Sequence, residues 1–258
     1  KRGSDIKPLN IEENEFNGRE VVDVSITPYR IARIGYRTVK PNNQDALVLD
    51  IIANIFNNSA KTGILDKLNA ENKILSASAY NRLGGKDHGG FGFGFIPRDD
   101  KQTFDEAEEL ILDAIKLVKN GDFELENIDA IKLNMKMSHE RSMETSSGRL
   151  WKIMEIISKD LSWAEIKSYP ERVDLVTKKQ IIDVANRYLN ENYLLVRSDK
   201  GDPEKIKLEK PPYKPVAPKN SEAKSKYAEK IESIKQSKIV PRYVDFDKDV
   251  KVSKIKNN

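Results

Sequence analysis

NNQDALVLDIIANIFNNSAKTGILDKLNAENKILSASAY, residues 42–80, carries the order of elements on which the fold turns. Asn42, Asn43, Gln44 and Asp45 offer side chains that cap a helix N-terminus, and Ala46 to Phe56 then reads as a helix. Its apolar positions (Leu47, Val48, Ile51, Ile52, Ile55, Phe56) leave only a narrow polar face, which places it deep in a core. Asn57-Asn58-Ser59 ends it, a short amphipathic helix comes next over Gly63 to Leu68, and a strand is expected over Leu75 to Leu83.

Working outward, Gly90 to Ile96 alternates Phe91, Phe93 and Phe95 with Gly90, Gly92 and Gly94, the period of a strand. Gly84-Gly85 and Gly89-Gly90 flank a connection that fits a hairpin loop. Upstream, Arg19 to Ile26 and Ile31 to Val39 also alternate, with Val22, Val24 and Ile26 sharing one side of the first. Downstream, three capping boxes mark helix starts: Thr103 with Glu106, Ser162 with Glu165, and Thr177 with Gln180. Helices are predicted from Phe104 to a stop at Gly121, from Leu125 to about His139, from Arg149 to Ser158, and along the stripe Ile181, Ile182, Ala185, Tyr188, Leu189. A last strand is expected over Tyr193 to Val196. Strands arrive in pairs separated by helices, which predicts an α+β fold in which helices cover an antiparallel sheet.

Charge divides the chain unevenly. Of 258 residues, the first 199 carry 29 basic and 32 acidic side chains, whereas residues 200–258 carry 16 and 9. The overall +4 is therefore the sum of a near-neutral body and a basic extension, which also holds six of the eleven prolines. The expected organisation is a lead-in over 1–18, an α+β domain over 19–199, and a basic Pro-containing linker over 200–258. Within the linker a helix is predicted over Ser221 to Ser237 and a strand-like run over Val240 to Val252. Prolines and interspersed acids suit a linker better than a nucleic-acid arm, so no nucleic-acid partner is expected. No apolar run approaches the roughly 20 residues of a membrane-spanning helix, and no membrane insertion is expected. The chain opens at Lys1 without Met, as expected of a piece of a longer or processed protein.

The chemistry that remains is sparse. There is no cysteine, which removes disulfides, thiolate nucleophiles and Cys-ligated zinc. A helical zinc motif needs two imidazoles one turn apart, but His88 and His139 stand 51 residues apart. His139-Glu140 begins the forward motif, yet Met143 occupies its second histidine position. His139 therefore reads as a solvated helix residue and His88 as a loop residue. No G-x-S-x-G is present, and the Gly-Phe repeat suits close backbone approach better than phosphate binding. No catalytic and no metal-binding residue is expected in this chain.

The order and spacing of the body resemble the repeating unit of the M16 (insulinase/pitrilysin-like) zinc metallopeptidases. The resemblance is carried by residues 42–80, by GGFGFGFIPRDDKQTFDEAEELILDAIKLVKNGDFELENIDAIK (89–132), by VTKKQIIDVANRYLNENYLLV (176–196), and by the arginine-bearing strand from Tyr29 to Val39. It implies an M16 peptidase-like unit that lacks H-x-x-E-H, and hence a noncatalytic domain. Zinc and its glutamate base are then expected in a catalytic M16 domain of the same or a partner chain, not here. Asn69 and Ser76 stand where the family's last unit places an arginine and a tyrosine, so the resemblance favours the second of four units. It implies a share of the chamber wall and of peptide substrate binding, by strand addition near Thr62, Gly63, Ala79, Tyr80 and Asn81. The other reading is a structural or assembly protein that keeps the fold without proteolysis.

Overall fold

Alternating phenylalanines commit one face of a sheet to the interior, and the helices gather on that face. The computed structural model describes residues 16–82, 88–202, 216, 219–235, 243–245 and 248–251. The chain divides into two compact units, Lys1–Lys205 and Ile206–Asn258. In the first, the elements run β1 (Arg19–Thr27), β2 (Ile31–Thr38), α1 (Gln44–Phe56), α2 (Ile64–Ala70), β3 (Ser76–Arg82) and β4 (Gly89–Ile96). They continue through α3 (Phe104–Asn120), α4 (Leu125–Glu144), α5 (Ser146–Lys159), α6 (Trp163–Lys167), α7 (Tyr169–Leu175), α8 (Lys178–Tyr188) and β5 (Tyr193–Lys200). Strand, helix and strand therefore come in the expected order. Leu83 and the Gly84-Gly85 half of the expected hairpin loop lie outside the described residues.

The five strands form one sheet in the order β1-β5-β2-β4-β3. It is antiparallel except at one edge, where β1 runs parallel to β5. Ala32, Ile34 and Tyr36 of β2 join Phe91, Phe93 and Phe95 of β4 and Tyr193 and Leu195 of β5 in the core. Phe56 of α1 meets Phe93 edge to face, with ring centroids 4.9 Å apart, an arrangement favoured by the aromatic quadrupoles. The stripe Val22, Val24, Ile26 lies on the opposite face, while Val21 is the β1 residue that packs on the core.

Helix boundaries follow their caps. Asn43 accepts from the Asp45 amide at 2.8 Å and starts α1. The capping boxes at Thr103, Ser162 and Thr177 all form. Gly121 ends α3 in the left-handed region at φ 79°, where a side chain would be strained. Thr145 caps the Gly148 amide at 3.0 Å, so α5 begins three residues before the predicted Arg149. Asp45 accepts from Arg187 and, at 2.9 Å, from the Tyr188 hydroxyl, which ties α8 to the start of α1.

In the second unit, α9 spans Lys226–Ser233, shorter than the predicted Ser221 to Ser237. Ser225 accepts from the Ala228 amide at 3.1 Å and so fixes the start five residues late. Of the predicted run Val240 to Val252, the described residues 243–245 and 248–251 contain a turn at Lys248-Asp249 and no strand.

One buried charge ties β1 to the helix layer. Glu108 of α3 is 4% exposed and accepts from Arg19 Nε at 2.8 Å, Arg19 Nη2 at 2.6 Å and the Tyr193 hydroxyl at 2.8 Å. Burial works to raise this carboxyl, but the bonds from Arg19 and Tyr193 outweigh it and hold it below the ordinary glutamate range. Arg19→Ala is expected to destabilise the domain by about 2–3 kcal/mol in urea unfolding, because it strands a buried carboxylate. Arg19→Lys should recover only part of that, since an ammonium cannot reproduce the two-pronged contact.

Candidate functional site

The narrow polar face of α1 opens onto a cleft of about 650 Å³. Asp50 stands on that face, a lone acid in the apolar run from Ala46 to Phe56. From β3, Asn81 Nδ2 donates to Asp50 Oδ1 at 2.9 Å and to the Ala46 carbonyl at 3.2 Å. The helical hairpin of α4 and α5 forms the far wall with His139, Lys152 and Glu155, and α7 adds Tyr169. The His139 and Tyr169 rings stack, with centroids 4.7 Å apart and planes 20° from parallel. Glu155 lies between two ammonium groups, Lys152 at 2.9 Å and Lys159 at 2.8 Å.

The electrostatics reflect burial and pairing. Burial lifts the Asp50 carboxyl from 3.8 to about 6, against the opposing hydrogen bond from Asn81. Burial lowers His139, and the Lys152 ammonium lowers it further, which favours a neutral imidazole. Burial would raise Glu155, but its bonds to Lys159 and Lys152 outweigh that and keep it ionised. Burial also pushes the Tyr169 phenol up to about 12, aided by the Asp50 charge. The cleft thus sets the ion-paired Lys152 and Glu155 and a neutral imidazole around a second carboxyl, Asp50, whose titration has moved toward neutrality. Asn81 Oδ1 is buried with no hydrogen-bond partner among the described residues.

Zinc does not fit these residues. His139 lies flat against Tyr169, Glu155 is held by two lysines and Asp50 by Asn81. Among the described residues, no three His, Cys, Asp or Glu side chains converge closely enough to hold a metal ion. Also among them, no helix is long and apolar enough to cross a membrane.

The residues singled out from sequence scatter around this cleft. Of them, Asn81 lines it. Thr62 accepts from Asn58 Nδ2 at 3.1 Å and faces a separate recess with Ile55, Lys67 and Phe123. Gly63 caps α2, its amide donating to Asp66 Oδ2 at 3.1 Å. A Cβ on Gly63 would stand 2.3 Å from the Phe56 carbonyl oxygen, so close backbone packing requires glycine there. The Ala79 amide donates to Asn57 Oδ1 at 2.6 Å. Tyr80 covers Gly92 on the sheet face opposite the phenylalanines, where a Cβ would come within 2.5 Å of the ring.

β3 is an edge strand, and its outer side is partly closed from within. The Asn69 amide group accepts from the Ala77 N–H at 2.8 Å and donates to the Ala77 carbonyl at 3.1 Å. Asn69 thus has a definite place, as an imitation of a neighbouring strand. His139, expected as a solvated residue, is half-buried and stacked instead. Sequence reasoning passed over Asp50, Lys152, Glu155 and Tyr169; the isolated acid in an apolar helix was the one available signal, since the others converge from separate helices.

The profile of the peptidase M16 inactive domain matches residues 3–135, just over half of the chain. The chain belongs to this family. No curated protein matches its sequence. Among solved structures, a protease from Helicobacter pylori superposes with a TM-score of 0.68 at 17% identity, covering 76% of this chain and 48% of that one. The inactive peptidase domain of a zinc protease candidate from Bordetella parapertussis gives 0.60 at 15%, covering 72% and 98%. A chain of complex III from Candida albicans gives 0.59 at 13%, covering 71% and 46%. At these identities the likeness concerns the fold. The chain spans about half the length of the Helicobacter and Candida chains.

The Asp50 carboxyl yields a pH prediction. Its value is higher folded than unfolded, so the stability it contributes is complete below about pH 4 and is lost as pH rises through about 6. Complete burial would make that loss about 3 kcal/mol, and water in the open cleft reduces the expectation to about 1–2 kcal/mol. Asp50→Asn should therefore stabilise the protein by about 1–2 kcal/mol at neutral pH and flatten the slope between about pH 4 and 6, read from urea midpoints across that range.

Proposed function

We propose that this member of the M16 inactive-domain family is a noncatalytic domain of a zinc metallopeptidase, assisting proteolysis that a catalytic M16 domain carries out in the same or a partner chain. The observation that carries the reading is the pairing of an inactive-domain match with a donor set that does not suit zinc. In this reading the chain forms part of a chamber wall and is the second of four units. Residues 200–258 serve as its connector to the third unit.

Peptide binding is assigned to the outer edge of β3 beside the cleft, the region of Ala79, Tyr80 and Asn81. Three features support it: β3 closes the sheet on that side, Asn81 joins edge to cleft, and main-chain bonding demands little of the peptide's side chains. The side-chain amides of Asn69 and Asn57 then act as occupants that a peptide displaces. Thr62 and Gly63, in the α1–α2 turn that follows Asn57, are proposed to take part from that turn.

A second reading, a structural or assembly protein without proteolysis, draws on the likeness to a chain of complex III. Supplying a catalytic M16 domain separates the two, since only the first reading expects peptide cleavage to depend on this chain.

For the chain alone, metal analysis should return substoichiometric zinc, and a fluorogenic peptide assay should return no cleavage. Stoichiometric zinc or robust proteolysis would sink the proposal. Asn57→Ala frees the Ala79 N–H and should tighten binding of a labelled unstructured peptide about fivefold in an anisotropy titration, the worth of one hydrogen bond. Unchanged affinity would remove the β3 edge from the binding site.

A further inference from the structure

Helix α5 is built the wrong way round for a solvent-facing helix. None of its residues is buried, although it contains Leu150, Trp151, Ile153, Met154 and Ile157. Lys152, Glu155 and Lys159 share one face, joined in ion pairs, with Lys152 and Glu155 on the wall of the cleft. The opposite face carries Leu150, Ile153, Met154 and Ile157, spaced i, i+3, i+4, i+7, and 57%, 49%, 48% and 68% exposed. A surface helix of an isolated domain turns such a stripe inward. Here the charges point to the protein and the hydrocarbon to water.

Trp151 is 66% exposed beside this stripe, and Leu133 and Met137 are exposed on α4, the helix on which α5 packs. The five large apolar side chains of α5, at about half exposure or more, amount to on the order of 500 Å², the larger part of the ~800 Å² per partner of a stable interface.

We propose that this face pairs with the same face of a second copy of the chain, α5 against α5 in antiparallel fashion about a two-fold axis. The stripe is complementary to itself. An axis between Ile153 and Met154 sets Leu150 against Ile157 of the second copy, and Ile153 against its Met154. The ion-paired charges of α5 lie on the far side, so pairing desolvates none of them. The surface is a convex helix without a groove, which suits another helix at an interaxial distance of roughly 8–10 Å better than an extended peptide. An isologous contact of this kind closes at two subunits.

Light scattering or sedimentation of the full chain tests it. The mass should rise with concentration from 29.4 kDa toward twice that value. Leu150→Glu or Ile157→Lys alone should weaken association at least about tenfold, as expected at the centre of an interface. Combining the two substitutions should restore it, because the two-fold axis sets each new carboxylate against a new ammonium group of the other copy. All three variants should keep the wild-type circular dichroism, since the sites are exposed. A wild-type mass of one chain at every concentration, or single variants that dimerise normally, would overturn the proposal. A double variant that stays monomeric would overturn the two-fold arrangement.

Discussion

The alternation of phenylalanine and glycine along β4 sets the terms for the rest of the domain. Three rings pointing one way oblige a helix layer to cover them, and Phe56 places α1 against β4. The glycines between the rings leave the other face shallow, with Tyr80 lying across Gly92. A sheet so divided has one wet and one dry side, the usual condition of antiparallel sheets. Once α1 is fixed there, its narrow polar face can open only sideways, between β3 and the α4–α5 hairpin, and that is where the cleft lies.

The cleft owes its character to unequal compensation of buried charge. Glu108 and Glu155 are each met by basic or hydroxyl donors and stay ionised. Asp50 meets an amide, which offsets less of the cost of burial, and its carboxyl moves toward neutrality. Three acids of one domain thus behave differently because of what faces them. The residues that could have made a metal centre are tied down by neighbours instead, in keeping with the inactive-domain family to which the chain belongs.

Much of the fold was legible because local signals agreed with one another. Alternation marked the strands that begin at Arg19, Ile31 and Gly89, strands were also expected where β3 and β5 form, and the capping boxes at Thr103, Ser162 and Thr177 formed as read. The parallel pairing of β1 with β5 was not legible, because strand order is set by a long-range crossover that leaves no local trace. The start of α5 was read late because Thr145 gives no capping-box pattern. The cleft was least legible. Asn81 was singled out for its strand position, whereas its structural partner Asp50 lies 31 residues upstream and His139 and Tyr169 come from separate helices.

The Asn69 contact with β3 has a meaning for the chain's life in a crowded solution. Exposed strand edges recruit one another, and a growing intermolecular sheet begins with one pair of free backbone groups. Here one carboxamide occupies both groups of Ala77, and Asn57 occupies the N–H of Ala79. Two asparagines therefore blunt this edge against intermolecular strand pairing.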